Sequence, residues 1–192
     1  MVLCQWIFVS YGMKEAIKSY TNSLINDVPH STYEGMLSAM CIGIVLLWAW
    51  KGRRAGNYIV WLLLVEYSFL LYCSTVIYRD VLREREGDLM PFWSYRAIMD
   101  GQEQYLSENI MNVVVFVPVG VLFGIAIRGR NVWVALMVGV GLSIGIEMFQ
   151  FVFKKGFTEV DDIIHNTLGC LIGYGMYKMV RMLSVKVSSK RP

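Results

Sequence analysis

Five stretches with almost no charge constrain this chain more than any other feature: Tyr33 to Trp50, Asn57 to Tyr78, Asn109 to Ile127, Val132 to Phe153 and Ile163 to Leu183. A helix rises about 1.5 Å per residue, so each is close to the length needed to cross a hydrocarbon core of roughly 30 Å. Lipid offers backbone amides no water to bond, which leaves helices or a closed barrel, and continuous hydrophobicity lacks the alternation of barrel strands. Of 192 residues, 56% are hydrophobic and 17% charged, with the charges gathered in short clusters. The expected fold is all-α: one polytopic helical membrane domain over residues 1–192 with five transmembrane helices.

Val2 to Met13 is apolar but too short to span and is followed by Lys14, so an N-terminal interfacial helix is expected, with Lys14 to Asn26 amphipathic. Cys4, Cys41, Cys73 and Cys170 lie in or beside apolar segments with no CxxC pair, as packing residues do. Lys51, Arg53 and Arg54, then Arg128 and Arg130, then Lys178, Arg181, Lys186, Lys190 and Arg191 fall on one side of the alternating helices, in segments free of acids. The positive-inside rule puts these on the cytoplasmic face, the C-terminus included. The net charge of +3 has no basic motif behind it, and no nucleic-acid partner is expected.

Ionisable groups inside apolar runs are costly, on the order of 2.5–3.5 kcal/mol at mid-helix on insertion scales. Glu66 in the second run needs a partner or a function. The loop Arg79 to Glu108 opens with a dense mixed-charge run, expected as a solvated helical extension, and continues into Pro91-Phe92-Trp93-Ser94-Tyr95, an interfacial aromatic belt or the wall of a site. Asn112, Phe116, Gly120 and Gly124 recur at four-residue spacing and share a face of the third run. Glu147 and Gln150 sit near the end of the fourth, and Asp162, Asn166, Gly169 and Gly173 line one face of the fifth, beside a stripe of Asp161 and His165. Because the helices alternate in direction, Asn112, Glu147, Gln150, Asp161, Asp162, His165 and Asn166 should reach a common depth in the outer third of the membrane.

At these residues the chain resembles the VanZ-like family of bacterial membrane proteins. The resemblance covers about residues 79–183 and rests on Pro91 to Tyr95, on Asn112 followed by Phe116-Val117-Pro118-Val119-Gly120, and on Glu147-x-x-Gln150 followed by Asp161-Asp162, Asn166, Gly169 and Gly173. Many relatives carry an arginine after the glutamine, where this chain has Lys154 and Lys155. The resemblance implies a multi-pass protein of a bacterial cell membrane associated with low-level resistance to glycopeptide antibiotics, teicoplanin in particular.

Three functions fit. An outer polar pocket of the seven residues named above would bind a lipid-linked cell-wall precursor or a lipoglycopeptide, with the bilayer as its other partner and no cofactor or metal. Alternatively, Glu147, Asp161, Asp162 and His165 would hold a divalent cation or act as acid and base on a lipid-linked substrate, although no catalytic residue can be named. In a third reading, Glu66 and Glu147 would carry protons in a small transporter. Beside all three stands a structural role: Asp161 and Asp162 as caps of their own helix, the remainder as an interhelical hydrogen-bond network.

Overall fold

The computed structural model describes residues 29–51 and 55–188. The expected interfacial helix of the first 28 residues, and the basic residues Arg53, Arg54, Lys190 and Arg191, lie outside the described residues. Helix α1 (His30–Lys51) is followed by α2 (Gly56–Tyr72), which runs into a π-helical turn, Cys73–Ile77. After the short strand β1 (Glu86–Asp88) come α3 (Trp93–Met99), α4 (Gln104–Ala126), α5 (Val132–Phe153), the strand β2 (Phe157–Glu159) and α6 (Val160–Ser188). The all-helical polytopic architecture is the one expected from the apolar runs.

Among the described residues, four helical segments are long and apolar enough to cross a membrane: His30–Lys51, Gly56–Ile77, Gln104–Ala126 and Val132–Phe153. The fifth expected run lies within α6, but His165, Asn166, Thr167 and its tyrosines make that helix less apolar than the others. Those polar side chains are buried by protein: α6 packs most extensively against α4 and next against α5. Helix α1, by contrast, buries none of its residues and meets the bundle through α2.

The seam between α4 and α6 is made of small residues. A Cβ on Gly120 would collide with the Cys170 carbonyl, one on Gly169 with the Val113 carbonyl, and one on Gly173 with the Val117 carbonyl. Two backbones can lie this close only where side chains are absent, the arrangement that drives association when water cannot. Around the seam, Phe116, Val119, Phe123, Ala135, Ile146, Cys170 and Tyr174 form the core. Cys41, Cys73 and Cys170 are free thiols, and Cys170 donates to the Ala135 carbonyl at 3.4 Å.

Two expectations are corrected. Helix α4 begins at Gln104, ahead of the expected Asn109, so Asn109 and Asn112 lie inside the helix. The mixed-charge run after Arg79 is not a helical extension. Its Glu86–Asp88 segment pairs in parallel with Phe157–Glu159, in the register Glu86 to Phe157 and Asp88 to Glu159. The π-helical turn ends α2 at Ile77, and the connection after α5 offers the loop backbone partners: the Leu82 amide donates to the Lys154 carbonyl at 2.7 Å, and the Lys154 and Lys155 ammonium groups reach the carbonyls of Arg83 and Ile77.

The seam yields a direct expectation. Gly173→Leu should destabilise the protein by about 1–3 kcal/mol or more through overpacking, read as a lower melting temperature in detergent. Gly175→Leu is the control, because a Cβ there has nothing within 4 Å.

Candidate functional site

Asp161 fixes the aromatic loop. One of its carboxylate oxygens accepts from the Phe92 amide at 2.5 Å; the other accepts from the Ser94 amide at 3.0 Å and the Ser94 hydroxyl at 2.5 Å. Asn109 donates in turn to the Ser94 hydroxyl at 3.0 Å. These amides are orphan donors at the start of α3, where Phe92 has φ 64° and makes no side-chain cap of its own. Asp161 therefore caps a helix, but α3 rather than the one that carries it, and it is 0% exposed. His165, one turn on, meets the same loop: its Nε2 lies 2.8 Å from the Tyr95 hydroxyl. Trp93 packs edge-on against Tyr105 and beside Phe157, and its indole N–H donates to Glu159 at 3.2 Å.

Beneath this bolted loop lies a cavity of about 480 Å³, at the end of the bundle where α4 and α6 begin and α5 finishes. Asn112, Glu147, Gln150, Asp162 and Asn166 all line it. Four carboxylates, Glu108, Glu147, Glu159 and Asp162, share its wall with one guanidinium, Arg79. The polar groups are held by directed bonds. Asn112 donates to Asp162 at 2.7 Å, Asn166 to the Ser143 hydroxyl at 2.9 Å, and Gln150 to the Thr75 carbonyl at 3.1 Å. Thr75 belongs to the π-helical turn, so the irregular end of α2 supplies the acceptor that orients Gln150. Glu147, only 4% exposed, accepts from the Glu159 amide at 2.8 Å and ties the end of α5 to β2.

Five of the seven expected residues thus converge, while Asp161 and His165 face the loop behind the cavity. That division separates the four residues considered for a divalent cation. Among the described residues, no group of three or more His, Cys, Asp or Glu side chains is placed to hold a metal ion. Glu66 is half-buried and absent from the cavity wall. Sequence reasoning missed Arg79, Glu108 and Glu159. Arg79 and Glu108 bracket the long loop and read as solvent-facing ends; Glu159 is one acid in a short connector. Gly156 has φ 122°, which other residues rarely adopt, and the end of the Arg79 side chain lies against it beside Gln150.

The VanZ/LLP1 family model matches residues 58–181, from the start of α2 to near the end of α6, and so takes in every residue of the cavity wall. The chain belongs to the VanZ/LLP1 family. It is also 33% identical over 70 residues to Protein VanZ of Enterococcus faecium, a match covering 36% of this chain and 44% of that relative. The aligned part is therefore less than half the relative's length. No solved structure matches the chain.

In this VanZ/LLP1 member, the one of the four cavity carboxylates that lies outside the membrane-spanning helices is Glu159, and its pKa is pushed up to about 8. Burial is the main cause, followed by the negative charges of Asp162, Glu108 and Glu147; the Trp93 N–H acts in the opposite sense. The folded state therefore holds this proton more tightly than the unfolded chain, where the group titrates near 4.5. Its contribution to stability is complete below that value and is lost as pH rises towards about 8. Between pH 5 and 8.5 the melting temperature should fall, and Glu159→Gln should flatten that fall.

Asp161→Ala should leave the α3 amides without acceptors. Losing a buried charge-assisted hydrogen bond costs about 1.5–3 kcal/mol, so the loop should loosen and tryptic cleavage at Arg96 should accelerate at temperatures where the helical core still holds.

Proposed function

We propose that the cavity binds the head group of a lipid-linked or lipidated envelope molecule at the outer face of a bacterial cell membrane, and that this underlies a low-level resistance to glycopeptides such as teicoplanin. The observation that carries the reading is a juxtaposition. Glu147 and Glu159 form a wall shared by the polar cavity and a second, apolar groove of about 430 Å³ lined by Leu89, Ile144, Met148, Phe151 and Val152. A polar chamber meeting an apolar groove at the edge of a bilayer suits a molecule with one part in each. Leu89, Met148, Phe151 and Val152 are exposed on the surface of the fold, where an acyl or prenyl chain would reach them from the lipid.

The charge distribution supports an outward-facing cavity. Lys51 ends α1, Arg128 and Arg130 occupy the turn between α4 and α5, and Lys178 and Arg181 lie on the distal part of α6, all away from the cavity end. Arg181 donates to the Arg128 carbonyl, which ties two of these segments together. With five crossings, α6 included, that basic end and the C-terminus are cytoplasmic. Sequestering a lipid-linked precursor in the outward-facing cavity, or the lipidated antibiotic itself, would lower the antibiotic's access to its target.

Glu147→Gln and Asp162→Asn preserve shape and can keep the bonds from the Glu159 amide and from Asn112 while removing charge. Expressed in a Gram-positive host, each should return teicoplanin susceptibility to that of cells lacking the protein, with membrane abundance and melting temperature close to wild type. Unchanged resistance in both variants contradicts the proposal, and loss of folded protein in both assigns the residues a purely structural role.

A further inference from the structure

The cavity's hydrogen-bonding inventory points to one class of ligand. Three of its four lining amides, Asn112, Gln150 and Asn166, commit their NH2 groups to protein acceptors. The oxygens of Gln150 and Asn166 are buried with no partner, in residues only 4% and 5% exposed. The Gln150 orientation is set by the backbone: its NH2 faces the Thr75 carbonyl, and a flipped amide would put two acceptors against each other. Thr75 and Ser107, also in the wall, donate their hydroxyl protons to the carbonyls of Leu71 and Gln104. Beyond Arg79 and Gln104, both exposed, the wall is acidic, with Glu108, Glu147, Glu159 and Asp162 beside Gln150 and Asn166, the two residues whose oxygens lack a partner.

A phosphate brings only acceptors and negative charge into such a chamber. A hydroxyl both donates and accepts, whereas an ammonium donates three times, accepts nothing and carries the charge that carboxylates neutralise. We infer that the head group taken up by this cavity is a primary ammonium, and that the ligand is a cationic, amine-bearing amphiphile whose apolar part lies in the groove beyond Glu147 and Glu159. The inference rests on the proposed binding role and specifies its chemistry. The ammonium nitrogen sits among Asp162, Glu108 and the Gln150 oxygen, with Arg79 limiting how much positive charge the chamber accepts.

The test uses the full chain in phosphatidylcholine nanodiscs, titrated calorimetrically with n-hexylammonium, n-hexanol and hexyl phosphate. Hexylammonium should bind at least ten-fold more tightly than either of the others, and Asp162→Asn or Glu108→Gln should weaken it about ten-fold; Glu108 is exposed, so its substitution leaves the fold intact. Binding should tighten from pH 6 to 8.5 as Glu159, whose pKa is pushed up to about 8 and which faces Glu108, Glu147, Asp162 and Arg79 across the wall, ionises, because an alkylammonium, like lysine with a pKa of about 10.4, stays protonated. Equal binding of hexanol, or tighter binding of hexyl phosphate, overturns the inference. If hexylammonium binds as described while Glu147→Gln and Asp162→Asn both leave teicoplanin resistance untouched, the ligand class stands and the resistance proposal falls. If the Glu147→Gln phenotype appears without ammonium selectivity, the reverse holds.

Discussion

The close approach of α4 and α6 is the constraint on which the rest of the structure depends. Gly120 on one helix, with Gly169 and Gly173 on the other, lets each backbone rest against the carbonyls of its neighbour. In water such a seam would be one contribution among many, but in lipid, where apolar surface gains little by leaving the acyl chains, it is a main source of helix association. The same faces carry Asn112 and Asp162 about two turns further along, so the approach that packs the bundle also closes the 2.7 Å bond between them. Above that bond the helices present polar side chains, and the cavity opens between them.

Structure and site are divided between adjacent residues. Asp161 commits both oxygens to the loop and Asp162 turns into the cavity, so neighbouring carboxylates on one helix do different work. The loop is a rigid cover as a result: its capped helix α3 sets Trp93 against Phe157 and Glu159, and Phe157 and Glu159 are themselves part of the wall. Lys154 binds the Arg83 carbonyl of the loop and Lys155 the Ile77 carbonyl at the end of the π-helical turn, while the guanidinium in the cavity comes from Arg79 just beyond that turn. Four carboxylates around one arginine leave the chamber acidic, which favours a donor-rich guest over a phosphate.

Much of this was legible in the sequence, because helices in lipid obey few rules and obey them strictly. Apolar length marked the long helices, and spacings of three and four residues put Asn112, Gly120 and Gly124 on one face of α4 and Asp162, Asn166, Gly169 and Gly173 on one face of α6. Alternating helix direction then brought Asn112, Glu147, Gln150, Asp162 and Asn166 together. The loops were less legible. The run from Asp80 to Asp88 carries opposite charges at i,i+3, as in Arg83 and Glu86, that suit a helix, and nothing local announces that Glu86–Asp88 will find a strand partner some seventy residues on. The partners of Asp161 are hidden for a related reason: an aspartate at a helix start normally caps its own helix, and the competing donors at Phe92 and Ser94 become visible only when the loop folds back.

Binding at the junction of cavity and groove can be observed directly by photolabelling. A photoactivatable alkylamine, irradiated with the protein in nanodiscs and mapped by mass spectrometry, should label peptides containing Glu147 to Val152 and Phe157 to Asp162, with a large excess of hexylammonium suppressing the signal. Labelling spread along the exposed apolar faces of α1 and α2, undiminished by that competitor, would contradict a ligand site between α4, α5 and α6.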